Sequence, residues 1–472
     1  MKTDPAGFSG MKVTVMGLGL NGGGVASARW LARHGARVTV TDLRAADLLV
    51  ESMERLAELP VRYVLGKHDE EDFTGADLVI KNPAVPPSSP FLQAACARGV
   101  RIETDLSIFL SVARNPVIGV TGSKGKSTTA SAIAWCLGRV DPGTILAGNI
   151  TVSPLDFMDE MDPGSPVVLE LSSWQLGDLR GRGILAPLIS AFTVILPDHL
   201  DRYSGMGDYI ADKKVLFQGQ ENDQKAVFNL DDPWQREFHR ESKAQPFFFS
   251  GRDLPDGLRG AWLEKGNGMA RLSPSGGEEK LILSDMLLTG AHNALNLLCA
   301  GLVLQIYGVK AEVVRKALAE FPGVEHRLEM FREWKRLRFF NDSAATIPQA
   351  AVQAVKSVEP PVVLIMGGTD KNLDFSPFAE VARLPRAIVL LEGSATQKIR
   401  SLLDREGVAC EGPFGDLPGA VDAAITLAGG GAEPGTVLFS PGCTSFGMFR
   451  NEFDRGARFK QVVLDKTSGQ AP

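Results

Sequence analysis

Short apolar strands alternating with helical periods, two glycine turns that each join a strand to a helix, and a length of 472 residues predict an α/β protein of three domains with mainly parallel sheets. The domains are expected at residues 1–105, 106–323 and 324–472. In such sheets ligands bind beyond the carboxyl ends of the strands. The polar motifs of this chain fall at those ends.

The first unit opens with a strand, Lys12 to Met16, then Gly17-Leu18-Gly19-Leu20-Asn21-Gly22 and a helix from Val25 to His34. A second strand, Arg37 to Thr41, ends in Asp42, and a third, Asp77 to Lys81, leads into Asn82-Pro83-Ala84. A GxGxxG turn with an acid about 20 residues further on is the pattern of a dinucleotide site, and read alone it suggests NAD. The competing reading is a Rossmann-like sheet that needs its glycines only for close packing. The second unit begins with the apolar run Pro116 to Val120, the loop Thr121-Gly122-Ser123-Lys124-Gly125-Lys126-Ser127-Thr128 and a helical pattern from Thr129 to Leu137. A glycine turn between strand and helix lets backbone N–H groups close on phosphate oxygens at a helix N-terminus. Lys126 can then reach a terminal phosphate, and Ser127 or Thr128 can ligate Mg²⁺. The spacing is shorter than GxxxxGK[ST], because position 120 is valine. This unit therefore reads as a P-loop ATPase domain, between Rossmann-like N- and C-terminal domains.

Further strands of the second unit run into chemically useful residues, Val167 to Leu169 into Glu170 and Ala191 to Leu196 into Asp198-His199. The third unit restarts the alternation with strands at 337–340, 362–366, 387–391 and 437–439 and helices at 348–356 and 395–406. Pro348 stands just inside its helix, where the missing N–H is harmless. Gly/Pro-rich stretches are short, such as Gly429 to Gly435, and no internal repeat is visible.

Hydrophobic content of 44% and charged content of 22% are ordinary for a soluble globular protein. A net charge of −6 without a basic tract gives no footprint for nucleic acid. The first residues contain no apolar signal segment, and no run of about 18 apolar residues is present to span a bilayer. The five cysteines form no CxxC pair. A reduced, cytoplasmic setting is expected.

Glu170, at a strand end in Glu170-Leu171-Ser172-Ser173-Trp174-Gln175-Leu176, suits Mg²⁺, which prefers carboxylate and phosphate oxygens. Asp198-His199-Leu200-Asp201-Arg202-Tyr203 gathers an imidazole, two carboxylates and a guanidinium in one loop, which favours a metal or substrate role for His199. Periodicity alone makes Lys213, in Tyr209-Ile210-Ala211-Asp212-Lys213, an exposed helix lysine. Gly290-Ala291-His292-Asn293-Ala294-Leu295-Asn296 offers amides for a base or ribose edge, or for capping. His326-Arg327 stands at the second boundary, where an arginine can close on phosphate.

TGSKGKST, ELSSWQL, DHLDRY, YIADK, GAHNALN, HRLE and NDSAAT occur in an order that resembles the Mur ligases of peptidoglycan synthesis, over roughly residues 17 to 456. The resemblance implies an ATP-dependent ligase that adds glutamate, the D enantiomer before the L, to UDP-N-acetylmuramoyl-L-alanine through an acyl phosphate. It implies that Gly17, Leu20, Asn21 and Asp42 address the UDP part of the substrate, not NAD, and that Asn149 and His199 touch the muramoyl substrate. It places Gly122, Gly125, Lys126, Ser127, Thr128, Asn293, Arg327 and Asp342 on ATP. Ser127, Glu170, His199 and a carbamoylated Lys213 (N-carboxylysine) would hold two Mg²⁺, with Lys126, Glu170, His199, Lys213 and Arg327 as the catalytic set. Thr346, Lys371, Ser445 and Phe446 would meet the amino acid. The implied protein is a cytoplasmic monomer without nucleic-acid or membrane partners, serving cell-wall synthesis, cell shape and division.

The chain departs from the family pattern at Thr151 and Ala84, each where glycine is common. It also has Ala344 where the D-glutamate ligases usually carry lysine, and Glu452 at an often aromatic position. Both fall in the amino-acid pocket. A folylpolyglutamate-type ligase shares the ATP site but normally lacks an N-terminal UDP-binding unit. A nicotinamide dehydrogenase, or a non-catalytic nucleotide-binding module, leaves Lys126, Glu170 and His199 without a task.

Overall fold

The computed structural model describes residues 4–19, 22–83, 85–150, 152–197, 203–273, 279–288, 290–370, 373–430, 432–445 and 448–468. Three sheets follow one another along the chain. Strands β1 (Lys12–Met16), β2 (Arg37–Asp42), β3 (Arg62–Leu65), β4 (Leu78–Lys81) and β5 (Arg101–Glu103) form a parallel sheet in the order β3-β2-β1-β4-β5. The central sheet contains β6 (Val117–Thr121), β7 (Ile145–Gly148), β8 (Val167–Glu170), β9 (Ile189–Phe192), β10 (Lys225–Asn229) and β11 (Gln245–Ser250). It continues through β12 (Gly260–Glu264), β13 (Asn267–Arg271) and β14 (Lys280–Leu283), in the order β14-β13-β12-β11-β10-β9-β6-β8-β7. The last sheet is built of β15 (Glu329–Trp334), β16 (Leu337–Asn341), β17 (Val362–Gly367), β18 (Ala387–Leu391), β19 (Cys410–Phe414) and β20 (Gly435–Phe439), ordered β15-β16-β20-β17-β18-β19.

The inner strands carry unbroken apolar runs because helices cover both faces. Every residue of β8, β9 and β17 is buried. Among the strands of the described residues, antiparallel pairing occurs in β12–β13–β14 and in β15–β16. These are local hairpins. Lys265 and Gly266 both take positive φ (50° and 83°) in the two-residue turn between β12 and β13, a backbone whose twist matches the flanking strands. Lys265-Gly266 is a weak turn signal in sequence, and the alternation rule did not anticipate this ribbon.

The strand expected to reach Leu196 stops at Phe192. Beyond it, Val194 bridges to Lys124, Ile195 N–H donates to Asp232 Oδ2 at 2.7 Å, and Leu196 N–H donates to Ser123 Oγ at 2.9 Å. The segment has left the sheet to grip the phosphate loop. The helix expected from Thr129 starts at Lys126, directly after Gly125 turns the chain with φ 87°.

The chain packs as two compact units, Met1–Met286 with Ala291–Phe321, and Leu287–Gly290 with Pro322–Pro472. The N-terminal and central sheets thus share one unit. Arg29 pairs with Asp156 at 3.1 Å, Trp30 Nε1 donates to Asp159 at 2.9 Å, and Lys81 pairs with Asp178 at 2.7 Å. Lys81 and Asp178 are only 7% and 13% exposed, so this pair is screened less than a surface one. Removing one partner of a buried pair strands the other charge. Asp178→Asn is therefore expected to destabilise this unit by ~2–4 kcal/mol, read as an earlier first transition in a denaturant melt. An unchanged melt contradicts that role.

Candidate active site

The phosphate loop is fastened from behind. Ser123 N–H donates to Val194 O at 2.6 Å, and its hydroxyl lies 2.7 Å from the Tyr209 hydroxyl. Thr193 Oγ1 donates to Lys124 O at 2.6 Å, and Lys126 Nζ donates to Ser123 O at 3.0 Å. The glycines are required by space. A Cβ on Gly122 would stand 1.9 Å from Thr193 Oγ1, and one on Gly125 would stand 2.2 Å from Asn296 Oδ1. Ser127 is buried in the first turn of the helix Lys126–Leu137, at the end where partial positive charge collects.

Glu170 ends β8 beside this loop and is 1% exposed. Its Oε1 accepts from Asn149 Nδ2 at 2.9 Å, whereas its buried Oε2 has no partner. A buried carboxylate oxygen without a hydrogen-bond donor is unfavourable by itself and suits a hard cation. Lys213, expected on periodicity alone to be exposed, is buried at 1%. Its Nζ donates to Gly122 O at 2.8 Å and lies 4.5 Å from the centre of the Tyr209 ring. The expectation failed because the helix Met206–Gln218 buries Tyr209, Lys213, Leu216 and Phe217 against the sheet, and one of those positions is a lysine.

In the N-terminal sheet, Gly17, Gly19 and Gly22 all have positive φ (94°, 67° and 90°), and a Cβ on Gly24 would stand 2.2 Å from Gly17 O. The turn is thus drawn tightly onto the helix Gly23–Arg33. Asp42 is 3% exposed, and its carboxylate accepts from Gly19 N–H at 3.0 Å and Arg44 N–H at 2.9 Å. Asn82, at the end of β4, stands against Gly17.

In the second unit, Asp342 is buried after β16. It accepts from Leu328 N–H at 3.1 Å and from Ser440 Oγ at 2.6 Å. Burial pushes its carboxyl up to about 7, against the pull of those hydrogen bonds and of Arg327 and Arg455. His326 takes φ 63°, and its Nδ1 lies 2.8 Å from Asn341 Nδ2. Lys460 pairs with Glu325 at 3.1 Å and Glu329 at 2.6 Å, so the acids beside His326 are already neutralised by a cation. Thr346 is half-buried, and Ser445 is 3% exposed with no partner for its hydroxyl.

The structure brings Gly122, Gly125, Lys126, Ser127, Thr128, Asn149, Glu170 and Lys213 to one end of the central sheet. Asn293 stands at the start of the helix Ala291–Tyr307. Leu20, Asn21, Ala84, Thr151, Asp198, His199, Asp201, Arg202, Lys371 and Phe446 lie outside the described residues. Three residues of this site were not singled out in the sequence: Ser123, Tyr209 and Asn296. Asn296 had a signal, since Asn293 and Asn296 are spaced to share a helix face. Ser123 and Tyr209 had none, because their contact joins segments far apart in the chain.

Two stretches match known domains, residues 11–104 the MurD-like N-terminal domain of Mur ligases and residues 120–304 the Mur ligase middle domain. The chain belongs to the Mur ligase family. Among its relatives, the UDP-N-acetylmuramoylalanine–D-glutamate ligase of Roseiflexus sp. (strain RS-1) is 42% identical over 468 residues, which span 97% of this chain and 99% of that protein. The enzyme of the same name from Treponema pallidum (strain Nichols) is 37% identical, over 97% of this chain and 98% of its own. The crystal structure of the UDP-N-acetylmuramate–alanine ligase of Thermotoga maritima shares the fold at a TM-score of 0.60 and 21% identity, covering 97% of this chain and 100% of that one.

Asp342 yields a pH prediction. Its carboxyl is raised on folding, so folding favours the protonated form, and stability falls as pH rises from about 4 toward 7. Asp342→Asn keeps the shape and removes the charge. The variant is expected to gain stability over the parent at pH 8 and to lose that gain near pH 4, measured as melting temperature across pH. A pH-independent difference contradicts the assignment.

Proposed function

We propose that this chain is an ATP-dependent ligase that joins D-glutamate to UDP-N-acetylmuramoyl-L-alanine in peptidoglycan precursor synthesis. One observation carries the reading: relatives named for this reaction match nearly end to end. The phosphate loop with Glu170 beside it is of a kind that receives nucleotide phosphate and supports it. The same match replaces the nicotinamide reading of the N-terminal glycine turn, which belongs to a Mur ligase domain. It also disfavours the folylpolyglutamate alternative. We further assign three domains, at residues 1–105, 106–323 and 324–472, and a cytoplasmic monomer. No helix among the described residues is long and apolar enough to cross a membrane.

A carboxylate is a poor acyl donor, so the muramoyl-alanine carboxylate first attacks the γ-phosphate of ATP. The product is an acyl phosphate and ADP. The neutral amine of glutamate then adds to the activated carbonyl, and the tetrahedral intermediate expels phosphate. Lys126 and Arg327 offset charge on the transferring phosphoryl group. Gly122, Gly125 and Thr128 shape the phosphate cradle, while Asn293 and Asp342 hold the nucleoside. Gly17, Leu20, Asn21 and Asp42 take the UDP moiety, and Asn149 and His199 the muramoyl end. Thr346, Lys371, Ser445 and Phe446 receive the amino acid. Ser127, Glu170, His199 and a carbamoylated Lys213 would hold Mg²⁺, two ions in all, which when bound screens phosphate charge. The bare Oε2 of Glu170 fits that assignment.

Lys126→Ala is expected to fold normally and to lose ~10²–10³-fold or more in turnover, as when a transition-state donor is removed. Near-normal phosphate release in the folded variant ends the ligase reading. Lys213→Ala should lose activity and regain part of it with added short carboxylic acids. Full activity without them excludes the carbamate. Phosphate release with UDP-N-acetylmuramoyl-L-alanine and each glutamate enantiomer decides the acceptor, and faster turnover with L-glutamate reverses the choice made here.

A further inference from the structure

In the second unit, a cavity of about 650 Å³ opens beyond the carboxyl ends of β17 and β18. Arg455, on the helix Glu452–Thr467, lines it while only 1% exposed. A buried guanidinium needs hydrogen bonds and a countercharge. Its bonds are known: Nε donates to Ser343 Oγ at 3.0 Å, Nη1 to Cys443 O at 3.0 Å, and Nη2 to Ser343 O at 2.7 Å. All three acceptors are neutral. A guanidinium has five N–H groups, so among the described residues one on each Nη has no acceptor. Burial lowers the group only to about 10, so it stays charged at neutral pH.

The leftover donors have somewhere to point. Gly368, at φ 142°, has no side chain, and a Cβ there would stand 3.7 Å from Arg455 Nη1. Ser445 lines the same cavity, 3% exposed, with a hydroxyl that has no partner. Among the described lining residues Arg455 is the only cation, and the exposed Glu392 is the only anion. A cavity whose buried lining offers one cation and an unpartnered hydroxyl, with its single anion at the exposed rim, is complementary to a carboxylate.

We propose that Arg455 is a specificity-determining residue of the acceptor pocket, its guanidinium edge and the Ser445 hydroxyl together binding one carboxylate of the incoming amino acid. This rests on the ligase reading above. A purely structural arginine would serve equally well with all five donors spent inside the protein, whereas here only three have acceptors among the described residues and the side chain lines a cavity that also holds an unpartnered hydroxyl.

The test compares Arg455→Lys with the parent in the full ligation assay. Lysine keeps the charge but loses the fork that meets carboxylate oxygens in pairs. The glutamate KM should rise ~10- to 100-fold, the cost of a lost charge-assisted contact. The KM values for ATP and the UDP-substrate should stay within about twofold, and preference for glutamate over glutamine should shrink. A folded variant with unchanged glutamate KM, or with all three KM values raised alike, overturns the proposal. A parent enzyme that ligates neither enantiomer overturns the ligase reading itself, a separate result. Should the variant not fold, a crystal structure of the parent with glutarate decides. A carboxylate oxygen within about 3.2 Å of an Arg455 Nη supports the assignment, and glutarate bound elsewhere overturns it.

Discussion

The bond from Lys213 Nζ to the Gly122 carbonyl, together with the hydroxyl of Ser123, sets the form of the phosphate loop, and much of the first unit can be traced from it. Lys213 reaches the loop because its helix packs close to β6. That approach depends on Gly119, where a Cβ would stand 2.5 Å from Leu216 Cδ1. The β9-β6-β8 order then lays the segment after β9 along one side of the loop and Glu170 along the other. A substitution in the strand interior, distant in sequence from any phosphate contact, would be transmitted through a helix to the loop carbonyl.

Both units bury charged side chains among neutral hydrogen-bond partners. In the first, backbone groups and hydroxyls form the cradle, and the charged Lys126 and Lys213 bond to main-chain oxygens. The second unit also buries ionisable groups. Asp342 and Arg455 are both buried, and neither is directly ion-paired: each is surrounded by hydroxyls and main-chain groups that bond without neutralising it. Groups held in this way stay responsive to whatever enters, because no internal partner has to be displaced first.

The sequence was most readable where one residue type meets a local requirement. The strands Lys12–Met16 and Ala387–Leu391 and the glycine turns fall where they were expected, since strand burial and positive φ leave a local imprint. Glu170 was legible for the same reason, as an acid ending an apolar run. The end of β9 and the burial of Lys213 were not, because both are decided by partners remote along the chain. Ala344 showed in the sequence that a charge was missing from the acceptor region. Only the fold shows Arg455 lining a cavity with a hydroxyl beside it, more than a hundred positions further on.

The ties between the N-terminal and central sheets bear on how the gene can be divided. One apolar cluster runs from Phe8 and Trp30 through Leu110 to Leu155 and Leu169, without a break at residue 105. Trp30 is 2% exposed, with its indole nitrogen satisfied across that line by Asp159. The hydroxyl of Ser153 likewise donates to Asp105 from the far side, at 2.8 Å. A fragment ending at residue 105 would keep its whole parallel sheet and yet display a bare indole and a torn apolar surface. Modular shuffling of this nucleotide-sized piece among other proteins would therefore require a replacement for the missing wall, and co-expression with the remainder offers one.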